Sequence, residues 1–375
     1  MLNLEGHPYF EKFIDPNSGV ESYILVNKPA PVTQSFYFVN QTLSKNQKYL
    51  WMYCMTPPMP YHSLAVVGMD AEKPFIRYFP HAVFDVGSPL VSDEGDSLYF
   101  SVGPTVYQIF IDGRIERVAT LPADFIQGRS VEYLVTHMTM SCDKKYILLD
   151  GKCGNEWFVS LLDMETKQIE VLHNFGYCHN HGQFSPIHPD LFILDEDWWI
   201  DPVSGRKMFY NNRIWLMNTE QTKFECMHPD KWFNKDSLIT HDFWSGDGKI
   251  CWADHEEGAF EMDINTKKIT HVWDTPICHC HCNTDRSLWC ADESPYKWEQ
   301  KPCKIMLLHR ESGQVIDIFS EMPLPEFPRS PGHIDPHPQF TPDGQYIVST
   351  TSVLERHIDI AITPVTPVLQ ERGLL

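Results

Sequence analysis

Positive charge is what this sequence has least of. It carries 30 Lys and Arg against 50 Asp and Glu, a formal net charge of −20 with histidine neutral. Nucleic acids and anionic membranes are bound through basic clusters that displace counterions, so neither is expected as a partner. An anionic substrate would need a local positive centre. Long apolar runs are also missing, and no stretch approaches the roughly 20 residues that span a bilayer. The N-terminal stretch MLNLEGHPYFEKFID has neither the basic nor the apolar region of a secretory signal. The 11 cysteines are odd in number and lack a disulfide spacing, and Cys54, Cys251 and Cys290 lie in strand-like runs where a thiol acts as a small apolar group. A reducing cytoplasm is the expected compartment. No linker-like or low-complexity stretch divides the chain, so residues 1–375 are read as one domain.

What the sequence does have is a core, turns and histidine. Hydrophobic residues make up 42% and charged residues 21%, which excludes disorder. The 28 prolines, 15 tyrosines, 22 phenylalanines and 11 tryptophans favour strands and turns over long helices. Short strand-like runs recur at 49–55, 97–102, 146–150, 191–194, 249–253, 288–291 and 346–350. Each follows a turn phrase, the clearest being Ser245-Gly246-Asp247-Gly248 and Thr341-Pro342-Asp343-Gly344. Hairpin signals such as Ile111-Asp112-Gly113-Arg114 come between them. Seven such units predict an all-β, seven-bladed β-propeller with blades starting near residues 34, 82, 131, 175, 235, 273 and 331. Ring closure is expected where residues 21–26 pair with strands near 357–365, with the tail from 364 to 375 outside the last strand.

The repeat gives the 18 histidines a register. Six residues before the Asp position of each turn stand Asn40, Ser88, His137, His181, His241, His279 and His337. Equivalent positions on the inner strands of a propeller converge on its axis, so five histidines scattered through the chain are expected in one circle. Crowding titratable imidazoles has no packing benefit and points to a metal or catalytic centre. His281 lies two residues beyond His279, and His333 and Asp335 precede His337 at the same even spacing, so all are candidate ligands. Imidazole with carboxylate suits Mn, Fe, Zn or Ni better than Ca or Mg. In Cys278-His279-Cys280-His281-Cys282 the histidines are read as facing the axis and the cysteines as facing away. Asp292 and Glu293 are read as lying at the far end of their strand from His279, outside the chemistry.

Several phrases resemble the oligogalacturonate lyases, polysaccharide lyase family 22. Thr240-His241-Asp242-Phe243-Trp244 resembles that family's THEFW, and the segment from Asp335 to Asp343, DPHPQFTPD, resembles its HPHPSFTPD. Asn212-Arg213-Ile214-Trp215-Leu216-Met217-Asn218 is similar to ARMWLIN, and residues 13–19 are similar to the family's start. The resemblance runs in register over nearly the whole chain. It implies a seven-bladed propeller in the cytoplasm and a metal-assisted β-elimination on short uronic-acid oligosaccharides. By this resemblance His241 is the catalytic base and His279 and His337 are metal ligands, with manganese the first choice of ion among Mn, Zn, Fe and Ni. Asp335 stands where the family has the first histidine of HPH, and Gly332 where it has a glutamine ligand, a loss that His333 or His281 would make good. His181 matches a site histidine. Ser185 replaces the arginine that follows it in the family, and Gln34-Ser35 replace a His-Arg pair.

Elimination removes the C5 proton of a uronate and expels the O4 substituent. A divalent ion on the carboxylate acidifies that proton, and a neutral histidine takes it. The expected assignment is His241 as base, His279, Asp335, His337 and His333 on the metal, and His137, His181 and Arg213 on an anionic oligosaccharide. Arg213 has a second reading as a blade-to-blade ion pair. Trp198, Trp199 and Trp244 are read either as sugar platforms or as wedges between blades. The alternatives are a different sugar-active enzyme on the same scaffold, such as a glycoside hydrolase or a lyase for another sugar acid, and a non-catalytic carbohydrate-binding propeller.

Overall fold

Near-continuous apolar runs such as Tyr49–Met55 and Ile250–Asp254 form strands that are buried on both faces, because each small sheet is sandwiched between two others. In the computed structural model, which describes residues 2–59, 61–84, 87–197, 199–201, 203–208, 213–228, 239–293, 302–325 and 335–375, seven sheets of four or five antiparallel strands form a seven-bladed β-propeller. Among the described residues no helix is long and apolar enough to cross a membrane.

The turn phrase works as a small hydrogen-bonded device. In Ser141, Ser245 and Thr341 the hydroxyl donates to the Asp two residues on at 2.6–2.7 Å. The same oxygen accepts the N–H of the residue that opens the next strand, Tyr146, Lys249 or Tyr346, at 3.0–3.1 Å. The following turn residue takes a left-handed backbone, which explains Gly248 (φ 82°) and Gly344 (φ 68°) at that position. Each phrase therefore fixes where the inner strand ends and the second strand begins.

The seventh blade closes the ring. Its sheet contains Gln339–Phe340, Tyr346–Thr351 and Asp359–Pro364 from the C-terminal end, then Glu21–Leu25 and Phe10–Ile14 from the N-terminal end. Tyr23 pairs with Ile362 and Ile24 with Ala361, as the sequence led us to expect. The tail lies outside the last strand, as expected, but it is not loose chain. Beyond the last strand Val365–Glu371 is helical and buries Val365, Val368 and Leu369 in the core shared by blades six and seven.

Candidate metal centre

The inner strands of blades four and five do not run straight into the circle. Between Asn180 and Gln183, and again between Thr240 and Phe243, the register shifts by a bulge. His181 (φ 54°) and His241 (φ 52°) sit in these bulges with left-handed backbones, and His337 (φ 43°) is left-handed as well. Such a backbone on a residue other than glycine costs about 1–3 kcal/mol and collects at functional sites. The bulges turn the imidazoles towards the axis.

All five histidines meet there. Ring centroids are 4.0 Å apart for His241 and His279, 4.4 Å for His279 and His337, and 5.4 Å for His137 and His181. At their centre lies a residue that register reasoning missed. Tyr37, from the loop of blade one, has its ring 5.1–6.5 Å from the rings of all five. The next residue, Phe38, is fully buried against His241, Phe243, His279 and His337. A blade-one segment can touch blades three to seven only by lying across the channel. Asn40 and Ser88, the two non-histidine positions of the circle, hold it there. Ser88 Oγ accepts the Tyr37 N–H at 3.2 Å, and Asn40 donates to the Met138 carbonyl at 2.8 Å.

His279 is the best-anchored imidazole. Its Nδ1 lies 3.0 and 3.1 Å from the two carboxylate oxygens of Asp292, which also accepts its backbone N–H at 2.8 Å; both residues are buried. The reading of Asp292 as remote is therefore wrong. Its strand returns antiparallel beside the inner strand, Cys280 pairing with Ala291, so the end of one faces the start of the other. A carboxylate that accepts Nδ1–H fixes the tautomer with Nε2 as the ligating nitrogen. Burial pushes the Asp292 carboxyl up, against the pull of His279. One donor atom each of His279, Asp335 and His337 lies within 4.8 Å of the other two, and all three residues are buried. Three donors from two blades, N, N and O, with one imidazole already oriented by a carboxylate, fit a divalent transition ion.

His241 is held by Nδ1 on the Cys278 carbonyl at 2.8 Å. Burial, followed by the neighbouring His279, His255 and Arg213, pushes its pKa well below the ordinary range, so it is neutral at physiological pH. His137 is pushed down to about 3 by burial, and its Nε2 has no hydrogen-bond partner among the described residues. Burial pushes the Tyr37 phenol well up, keeping it protonated.

Other sequence candidates fall elsewhere. His281 is a blade-to-blade contact, its Nδ1 accepting the Phe340 N–H at 3.0 Å and its ring stacked on Phe243; burial pushes it down to about 4. Its position, two past the circle, is where Gln183 and Gln339 also bond to the next blade, to the Asp242 carbonyl and the Thr42 N–H. Arg213 shows the second of its two readings. The guanidinium is in contact with Asp195 (2.6 Å), Asp197 (3.3 Å) and Asp242 (3.3 Å), tying blade four to blade five. Burial and the facing Asp242 push the Asp195 carboxyl up. Trp244 is a wedge whose Nε1 donates to the Gln183 carbonyl at 3.0 Å. Cys280 and Cys282 are buried with the apolar core, but Cys278 is not turned away from the chemistry: its Sγ lies 3.9 Å from both His241 Nδ1 and His279 Nε2. His333, Gly332, Trp198 and the Trp199 side chain lie outside the described residues.

This chain has the fold of the oligogalacturonate lyases. A solved oligogalacturonate lyase in complex with manganese superposes with a TM-score of 0.72 at 15% identity, covering 96% of this chain and 97% of that one. The oligogalacturonate lyase of Vibrio parahaemolyticus gives 0.71 at 15% identity, covering 95% and 96%. Hydrazine synthase of Kuenenia stuttgartiensis gives 0.51 at 12% identity, covering 91% and 97%. No protein-family model and no curated protein sequence matches the chain.

Proposed function

We propose that the protein is a divergent propeller lyase that cleaves uronic-acid oligosaccharides by β-elimination with a divalent transition ion, manganese being the first choice. The observation that carries this reading is His279, oriented by buried Asp292 and gathered with Asp335 and His337 beside a neutral His241. A bound ion would withdraw charge from the substrate carboxylate and acidify the adjacent C–H.

The chain's own residues supply the rest. With Nδ1 on the Cys278 carbonyl, His241 has Nε2 as the acceptor for the C5 proton. Its low proton affinity in the resting site keeps it ready at neutral pH. Tyr37, still carrying its proton, and His137, with a buried Nε2, face the groups a sugar would bring: hydroxyls and the departing O4. His181 completes that wall, 5.8 Å from Tyr37 by ring centroids. The engagement of Arg213 with three carboxylates favours recognition of the uronate through the ion and neutral donors rather than through that guanidinium.

The test is incubation of the manganese-loaded protein with uronide oligosaccharides, following the ultraviolet absorbance of the unsaturated product. Turnover is expected, with loss on chelation and a fall of at least about 100-fold in His241→Ala. Unchanged turnover in that variant would overturn the base. Absence of any unsaturated product across several uronides would overturn the lyase.

A further inference from the structure

Next to the proposed manganese ligands is a second group of donors with different chemistry. His241 comes from the bulge of blade five, His255 from the turn after Ile250–Asp254, and Cys278 from the segment before Cys280–Cys282. One donor atom of each lies within 4.8 Å of the other two. The rings of His241 and His255 stack at 5.9 Å and 28°. His241 and His255 are half-buried as residues while Cys278 is fully buried. The His241 nitrogen that lies 3.9 Å from the Cys278 sulfur is Nδ1, the same atom that is on the Cys278 carbonyl, so an ion there would displace that hydrogen bond and leave the ring proton on Nε2.

We infer that His241, His255 and Cys278 form a second metal site, selective for soft ions such as Zn2+ and Cd2+, whose occupation takes His241 out of use. Two imidazoles and a sulfur suit zinc-like ions, which tolerate three protein ligands plus water, whereas the two-nitrogen, one-carboxylate set on the other side of His279 suits harder ions. Binding exchanges the thiol S–H bond for an S–metal bond and releases one proton to solvent, so the ion keeps a net charge of one on the pair. Donors at about 2.0 Å (N) and 2.3 Å (S) from an ion lie closer together than 4.8 Å. Binding therefore draws the three side chains together. A His241 ring that gives Nδ1 to an ion carries its proton on Nε2 and cannot accept a substrate proton there. The two sites are therefore antagonistic through one ring. Metal binding here stands apart from the lyase reading; only the consequence for turnover rests on it.

The experiment titrates Cd2+ into the chelator-stripped full chain and follows the sulfur-to-metal charge-transfer absorption in the ultraviolet, with bound metal counted by elemental analysis. One thiolate-bearing equivalent is expected, lost in Cys278→Ser and in Cys278→Ala, and weakened at least about tenfold in His255→Gln. His337→Ala should leave that band in place while removing the other equivalent. A band that survives both Cys278 variants belongs to another cysteine and overturns the inference. So does a band that His337→Ala removes and His255→Gln does not, since Cys278 would then serve the first site. Absence of any thiolate band in the wild-type chain overturns it outright. If turnover is detected, Zn2+ should inhibit it in the wild type and inhibit it less in His255→Gln; equal inhibition would disconnect the site from His241.

Discussion

Asp292 decides which nitrogen His279 can offer. Replacing its carboxylate by an amide leaves the shape and weakens the hold on Nδ1–H. We expect Asp292→Asn to bind Mn2+ about 10–100-fold more weakly by calorimetry, with its secondary structure intact. Unchanged affinity would show that His279 is not a ligand. His137 makes a second single-residue prediction. Its pKa is pushed from 6.5 to about 3 by burial, so the unfolded chain binds the proton first. Stability should therefore fall as the pH drops from about 6.5 towards 3, by a few kcal/mol from this residue alone. In His137→Gln that part of the slope should vanish in urea melts taken between pH 4 and 7.

At the scale of the element, the bulge around His241 sets the aim of its side chain. Its left-handed φ of 52° predicts that His241→Gly folds more stably than His241→Val, by about 1–2 kcal/mol in urea denaturation. Equal stabilities would mean that the backbone relaxes there. These elements also mark how far the sequence could be read. The Ser/Thr-x-Asp turns and the histidines six residues before them were legible because each blade repeats them, and repetition puts equivalent positions on one circle. Asp292 was legible too, had the count continued: seven residues forward from the turn Asp stand Asp150, Asp254 and Asp292. The antiparallel return that brings it back to His279 was left out of the count. Tyr37 gave no such signal. It lies in the blade whose turn phrase, Ser44-Lys45-Asn46-Gln47, is among the least typical, and register relates positions around a circle but cannot describe a segment crossing it. His255 and Cys278 meet through an inter-blade contact that no spacing within a blade encodes.

On the scale of the whole molecule, the chain's two ends share one sheet. Removing residues 2–26 would strip Phe10–Ile14 and Glu21–Leu25 from blade seven and expose the edge of Asp359–Pro364. We expect that deletion to abolish the cooperative melting transition and to aggregate, and a cut at residue 5, which removes the buried Leu4, to lower the melting temperature while keeping the transition cooperative. The proposed metal ligands His279, Asp335 and His337 come from blade six and the approach to blade seven, so the geometry of that group depends on that seam. The loop that carries Tyr37 and Phe38 has a different bearing. It lies across the axis at the level of the five histidines, so two aromatic rings occupy that level. For the proposed lyase this means that an oligosaccharide meets the site from one side of those rings and that its products leave on the same side.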